Sequence, residues 1–422
     1  MKILFISFSN YDNGTYMGGG WVAALSRLLS QSAKYTVGIV YPSPMKNTPW
    51  ERDNVVYYPF LHTESKWSYY KRRLTRMPFD FSIYANELNK IISDFNPDIV
   101  QLFGLESDIS SLAIEVKDRP VVVHIQGSSI LCSQLWYPKG LSCDMVKKHT
   151  RIADRIKHVS SIDQYLNMCN RAVVEKRNFS IYKYYLGRTS WDRGIVDFYS
   201  AGGKYYICNE AIRDVFYRYS WSNPSGEVVL VTINNGEIYK GFDTILETAH
   251  LLKEHGLNFK WRIIGMEHNH PTLKLIEEIK QLHFADNNVV FEGKKQAEDI
   301  AKILCECTLY VHPSHNDNSP NSVCEAMVVG VPVVANFIGG IPSLIEHQKT
   351  GWLVPDGDSL AMASAIAEIA QDKDVLCRIS EIAKQVARHR HSAENIIKEL
   401  ENAYSSIIED YSSRNKMNII TQ

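Results

Sequence analysis

Asp317 and Glu325 bracket seven residues, and Asn321, Ser322, Val323 and Cys324 within that interval lead into an Ala/Met-rich helix start. The unpaired N–H groups of such a terminus suit a phosphate, and two carboxylates beside it suit sugar hydroxyls. A plainer reading is open for the same residues, because Ser322-x-x-Glu325 is also a capping box, with Ser322 as the cap and Glu325 reaching back to its backbone. Gly18-Gly19-Gly20 opens a run with Val22, Leu25, Leu28 and Leu29 at helical spacing. A glycine turn there lets a diphosphate approach bare backbone. Gln126 ends the apolar run 120–125, at the carboxyl end of a strand, where α/β sheets bind ligands. Its amide can hydrogen-bond a sugar hydroxyl but cannot titrate. His124, in the same run, reads as a core histidine, and Arg188 precedes Thr189-x-x-Asp192, a variant capping box opening a helix.

Positioning these groups requires strands ending in turns. Residues 309–311, 331–335 and 352–354 are short apolar runs that suit buried parallel strands, each followed by a polar or Gly-rich turn. Similar runs at 2–9, 35–41, 55–60, 120–125, 204–208, 228–233, 261–265 and 289–293 alternate with helical patterns, among them 84–95, 297–306 and 392–408. The polar, Pro/Gly-containing stretch 221–226 is the expected domain boundary. The expected layout is an N-terminal domain over 1–220, a C-terminal domain over 221–395, and over 396–422 a helix crossing back and ending in a frayed tail.

At 422 residues and 45% hydrophobic content the chain can bury two cores, and no apolar run reaches membrane-spanning length. Eight cysteines without C-x-x-C spacing argue for reduced, structural thiols and against zinc. Asp356-Gly357-Asp358 resembles a metal-binding pair, yet its place between strand and helix reads as a turn and N-cap, so no metal is expected. G-x-G-x-x-G is absent, which argues against a dinucleotide cofactor. Residues 1–220 carry 28 Lys and Arg against 20 Asp and Glu, and residues 221–422 carry 18 against 27. The basic half suits an anionic surface or a diphosphate-bearing acceptor, and no nucleic-acid motif accompanies it. Within it, Lys66, Lys71, Arg72, Arg73 and Arg76 interleave with Trp67, Tyr69 and Tyr70, a pattern that suits an anionic membrane surface.

Glu325, Ala326, Met327, Gly330, Pro332, Val333 and Val334 resemble the signature of glycosyltransferase family 4, which writes Glu-x7-Glu followed by Ala-Met-x-x-Gly-x-Pro-Val-Val; Asp317 stands where the first Glu is usual. The resemblance implies two doubly wound, Rossmann-like α/β domains facing across a cleft, the GT-B (glycosyltransferase B) fold, and retaining, metal-independent sugar transfer. It places Lys240 and Gly241 on the donor diphosphate and puts Asn235 where the family has an Arg. It sets Gly293 and Lys294 at the nucleotide base, Asn321 and Ser322 at the phosphates, and Gln126 on the family's histidine. Asp317, Glu325 and Gln126 are the catalytic candidates; Gly18, Gly19, Gly20, Asn235, Lys240, Gly241, Gly293, Lys294, Asn321 and Ser322 the donor-binding ones; His124, Arg188 and Thr189 lie on the acceptor side. No carboxylate is evident on the N-terminal face, which favours front-face departure and attack. A GRT-x-W-D…CNE pattern at 187–210 is similar to that of bacterial polysaccharide transferases. The expected function is therefore transfer from a nucleotide sugar, UDP- before GDP-linked and with no cofactor, to a glycan or lipid-linked acceptor, in the cytoplasm with peripheral contact on the inner membrane face. An epimerase or phosphorylase of the same architecture, or a catalytically weakened sugar-nucleotide-binding subunit, are the alternatives.

Overall fold

The computed structural model describes residues 1–9, 20–45, 48–224 and 226–420. The chain divides into two compact units, one of residues 1–130, 166–211 and 391–422, the other of 131–165 and 212–390. In the first, β1 (Lys2–Ile6), β2 (Thr36–Ser43), β3 (Trp50–Arg52), β4 (Val55–Leu61), β5 (Ile99–Phe103), β6 (Val121–His124), β7 (Tyr184–Gly187) and β8 (Lys204–Ile207) form one sheet in the order β3-β4-β2-β1-β5-β6-β7-β8. Every pairing is parallel except β3 with β4. Parallel neighbours need crossover helices, which cover both faces and explain why the central strands are apolar throughout.

The second unit has a wholly parallel sheet, β9 (Val228–Ile233), β10 (Phe259–Ile264), β11 (Val289–Phe291), β12 (Leu309–His312), β13 (Val333–Asn336) and β14 (Trp352–Val354), in the order β11-β10-β9-β12-β13-β14. The order reverses between β9 and β12, and ligands bind doubly wound sheets at the carboxyl ends of strands at such a switch point. Trp261 is fully buried on β10, and its indole N–H reaches Thr232 Oγ1 at 3.0 Å, whose hydroxyl donates to Val311 O at 2.7 Å. A buried indole needs such a partner, and here the chain of bonds ties β10, β9 and β12 together.

Two differences from the expected layout have clear causes. Trp221, expected in a linker, is buried: its backbone N–H bonds Val329 O at 2.9 Å and its indole N–H bonds Cys307 O at 2.7 Å. The boundary therefore falls before Ile212, ahead of Phe216 and Trp221, which join the second core. Residues 131–165 join the second unit although they precede β7, because the helix Cys143–His149 packs on the helix Pro271–Lys280. The return crossing lies at His391, and the last helix, Ala393–Ile420, continues past the expected fraying point at Lys416. It stays helical because Leu400, Ala403, Tyr404 and Ile407 sink into the first unit's core and Asp410 takes Lys204 at 2.6 Å and the Tyr184 hydroxyl at 2.7 Å.

Candidate functional site

Asp317 follows β12, and Lys240 closes the turn after β9, so both lie at the switch point. Lys240 Nζ stands 2.8 Å from Asp317 Oδ2, and His312 Nε2, from the last residue of β12, stands 3.2 Å from the same oxygen. Burial works against both charges. Lys240 and His312 outweigh it at Asp317 and hold that carboxyl far below its usual range, while Asp317 outweighs it at Lys240 and raises the ammonium's pKa. Both groups are therefore fully ionised at neutral pH, as an anion-binding lysine must be.

Glycines set this geometry. Gly241 sits at φ 82° and caps the helix Phe242–Glu254; a Cβ there would overlap the carbonyl oxygen of Pro313. Gly339, at φ 48°, packs against the Asp317 carbonyl in the same way, and the Gly340 N–H donates to that carbonyl at 3.1 Å. Only glycine combines positive φ with so close an approach, so the Gly-Gly turn fixes the loop that carries Asp317.

Glu325 does not close a capping box. The helix is Asn321–Val329 with Pro320 at its N-cap position, and Arg213 grips Glu325 instead, through Nη2 at 2.6 Å and Nε at 3.0 Å, both on Oε1. The Arg213 guanidinium lies 4.9 Å from the Phe216 ring. Burial raises the Glu325 carboxyl to about 7 even though Arg213 pulls it down. The structure removes the capping-box alternative; Arg213 was missed because it lies far away in sequence, and the charge needed by a buried carboxylate was the only available signal.

His315, absent from the sequence reading, braces the same loop. Its Nδ1 is 2.7 Å from Asp356 Oδ1 and its Nε2 3.1 Å from Asp243 Oδ1, and Asn336 donates to Pro313 O, Ser314 O and Asp356. Asp356 is thus the partner of a histidine, and Asp358 caps the helix Ser359–Ile369 by accepting the Ala361 N–H at 2.8 Å. Burial disfavours the imidazolium, but Asp243 and Asp356 outweigh it and raise His315 from 6.5 to about 9. A histidine raised in the folded state stabilises fully below about 6.5, and that stability is lost as pH rises through about 9. Thermal melting is expected to show the wild type losing on the order of 3 kcal/mol between about pH 7 and pH 10. His315→Gln should melt lower near pH 7 and lack that pH step; an unchanged step in the variant would contradict the assignment.

The remaining candidates separate. Gly20 opens the helix Gly20–Ser30, while Gly18 and Gly19 lie outside the described residues. Asn235 is exposed, its amide 3.3 Å from Glu237 Oε2, so it supplies no replacement for a diphosphate arginine. Gly293 adopts φ 68° against Glu267, and Lys294 is exposed. Ser322 is half-buried in the first turn of the helix Asn321–Val329, and Asn321 Oδ1 beside it is buried without a hydrogen-bond partner. In the first unit, His124 is fully buried, 3.0 Å from the Gln101 amide, and burial followed by Arg188 lowers it to about 3; it is a neutral core histidine. Arg188 donates to Ile125 O at 3.2 Å and Gln126 O at 3.0 Å, fastening the strand end, and Thr189 forms a complete capping box with Asp192. Both side chains thus have partners within the first unit. Gln126 lies past the end of β6, so strand alternation does not link its side chain to that of His124. The expectation of a first unit without a carboxyl at its strand ends is corrected by Glu106, just after β5, whose carboxyl burial raises to about 7. Cys132 and Trp136 were also missed: Asn316 donates to Cys132 Sγ at 3.0 Å, and the Trp136 ring lies 5.4 Å from that of Tyr239.

Two parallel-sheet, Rossmann-like units of this kind define the GT-B fold, and the chain has it. Anabaena Alr3699/HepE in complex with UDP and glucose aligns over 96% of this chain and 100% of its own, with TM-score 0.64 at 16% identity, a likeness of fold. Residues 216–386 match the family model described as glycosyl transferases group 1. WcaL of Escherichia coli K12, named for colanic acid biosynthesis, is 30% identical over 184 residues, which are 42% of this chain and 45% of that protein. The amylovoran biosynthesis glycosyltransferase AmsK of Erwinia amylovora is 34% identical over 138 residues, 31% of this chain and 33% of its own. The matched region therefore spans less than half the length of either curated relative.

Proposed function

We propose that the protein is a retaining glycosyltransferase of family 4 that moves a sugar from a nucleotide donor to a glycan or lipid-linked acceptor in surface polysaccharide assembly, forming an α-linkage. The observation that carries this reading is the ionised Lys240–Asp317 pair at the switch point, next to a helix N-terminus and a buried Glu325. Lys240 and the amides near Asn321 and Ser322 would offset the charge that grows on the leaving diphosphate, the largest contribution expected in such a transfer. Asp317 would hold the donor sugar and Glu325 a ribose hydroxyl. Gln126 cannot titrate, so in front-face attack the departing diphosphate oxygen takes the acceptor proton. No metal is required in this scheme: the acids that resemble a metal pair are occupied by His315 and by a helix cap. UDP is favoured as the nucleotide because Alr3699/HepE was solved with UDP. NMR of slow donor hydrolysis tests retention: the sugar should first appear as the anomer present in the donor, and first appearance of the opposite anomer would contradict it. Nucleotide release confined to mixtures containing acceptor separates transfer from epimerisation.

Membrane contact is part of the proposal. The helix Lys66–Thr75 buries no residue and leaves Trp67 73% and Leu74 68% exposed beside Lys66, Lys71 and Arg73. No helix among the described residues is long and apolar enough to cross a membrane. Aromatic and cationic groups on one exposed helix suit the interface of an anionic bilayer, at about 1 kcal/mol per basic residue near the surface. Cosedimentation with phosphatidylglycerol vesicles at low salt is expected, weakened in Trp67→Glu; failure of the wild type to sediment would remove the idea.

A further inference from the structure

A cavity of about 160 Å³ opens in the first unit beyond the carboxyl end of β5, between the segment 77–80, the loop 105–111 and the helix Ser161–Phe179. None of the residues expected from the sequence to bind donor or acceptor lines it. Doubly wound sheets bind ligands beyond the carboxyl ends of their strands, so the location alone makes it a candidate. Its volume is smaller than the roughly 300–1,000 Å³ of sites for drug-sized ligands, which limits the occupant to about one ring.

The lining decides the chemistry. Apolar walls come from Met77, Phe79, Leu105 and Val174. Asp108 is committed, Oδ2 accepting the Phe79 N–H at 3.0 Å and Oδ1 pairing with Arg171 at 3.1 Å, and Asp80 accepts the Ser82 N–H at 3.0 Å. Glu106 differs: its Oε2 is buried with neither a hydrogen-bond nor an ion-pair partner, whereas Asp108 Oδ1, also without a hydrogen bond, has Arg171. A buried acceptor of this kind costs free energy unless something donates to it. Asp80, Glu106 and Asp108 against Arg171 and Arg177 leave no excess of positive charge to attract an anion.

We propose that this cavity binds one neutral hexopyranose ring, a ring hydroxyl donating to Glu106 and the C–H face lying on the apolar walls; this rests on the transferase reading, in which the ring belongs to the acceptor. A pyranose supplies both halves of the match, hydroxyl donors on its edge and apolar C–H groups on its face. A free carboxylate on the sugar would meet three acids, which sets uronates apart.

Saturation-transfer NMR on the full chain tests this, with methyl α-D-glucopyranoside, methyl α-D-galactopyranoside, methyl α-D-mannopyranoside and methyl α-D-glucuronide as probes. At least one neutral glycoside is expected to receive saturation near pH 8, above the value of about 7 to which burial raises Glu106, with roughly ten-fold weaker binding in Glu106→Gln, the effect of losing a hydrogen bond to a charged acceptor. Val174→Phe fills the cavity and should abolish the signal; if it fails to melt like the wild type, the isosteric Glu106→Gln decides. Absence of signal from every neutral glycoside, signal from the glucuronide alone, or signal unchanged in the folded variants would overturn the proposal. Binding of UDP, GDP or ADP by the same wild-type sample, followed by calorimetry, reports separately on the donor reading. Nucleotide binding without glycoside binding sinks this inference alone.

Discussion

Replacing Lys240 with alanine is expected to lower turnover on the correct donor by roughly 100-fold, the scale seen when one charge-stabilising donor is removed from a transition state. The side chain has two roles that a single substitution confounds. It neutralises Asp317 at 2.8 Å, and in the proposed reaction it meets the diphosphate as charge develops there. The double variant Lys240→Ala/Asp317→Asn separates them. If Lys240 only compensates Asp317, the double variant is no slower than Asp317→Asn alone; if it serves the leaving group, the double variant falls well below Asp317→Asn. Steady-state kinetics at saturating donor are expected to give the second result. Turnover of Lys240→Ala within a few-fold of wild type would take Lys240 out of the site.

Arg213→Ala carries the second large effect. Burial already raises Glu325 to about 7 with Arg213 in place, so its removal leaves the carboxyl protonated at neutral pH. A protonated acid is a poorer acceptor for a ribose hydroxyl, and donor KM is expected to rise about ten-fold near pH 7, with a smaller change in kcat. Raising the pH should recover part of the loss, and Arg213→Lys should be intermediate, because an ammonium supplies charge without the two-pronged fork. Stability moves with it. A carboxyl whose folded pKa lies above its ordinary 4.5 makes the fold less stable as pH climbs from about 4.5 to about 7. Without Arg213 that window extends upward, so the variant should melt higher near pH 6 than near pH 8. Breaking a fully buried pair costs about 3–5 kcal/mol. The Arg213 side chain is 34% exposed, and solvent screening lowers the expectation to about 1–3 kcal/mol. A donor KM and a melting profile that both match wild type would show that Arg213 does not position Glu325.

The sequence made the sheets legible because parallel strands buried on both faces are continuous apolar runs, such as Val228–Ile233, and these need no partner to be recognised. Lys240 and Gly241 were singled out only through the family resemblance, and the structure puts them, with Asp317, in the turns after β9 and β12. What stayed hidden depends on long-range pairing. Arg213 on Glu325, His315 between Asp243 and Asp356, and Asn316 on Cys132 join residues far apart in the chain, and no local spacing encodes them. Trp221 looked like linker because its neighbours are polar, whereas its own indole and backbone are anchored in the second core. The segment 131–165 was misplaced for a related reason: chain order set it with the first unit, and only packing of Cys143–His149 on Pro271–Lys280 assigns it to the second.

The central claim, that Lys240, Asp317 and Glu325 hold a nucleotide sugar, is tested most directly by donor hydrolysis without acceptor. The full chain is incubated with UDP-, GDP- and ADP-sugars, and nucleoside diphosphate release is followed for the wild type and for Glu325→Gln. Slow release from one donor class, at least about ten-fold weaker in the variant, is the predicted result. Release at equal rates by wild type and variant, or from no donor even when acceptor glycans are added, would contradict it.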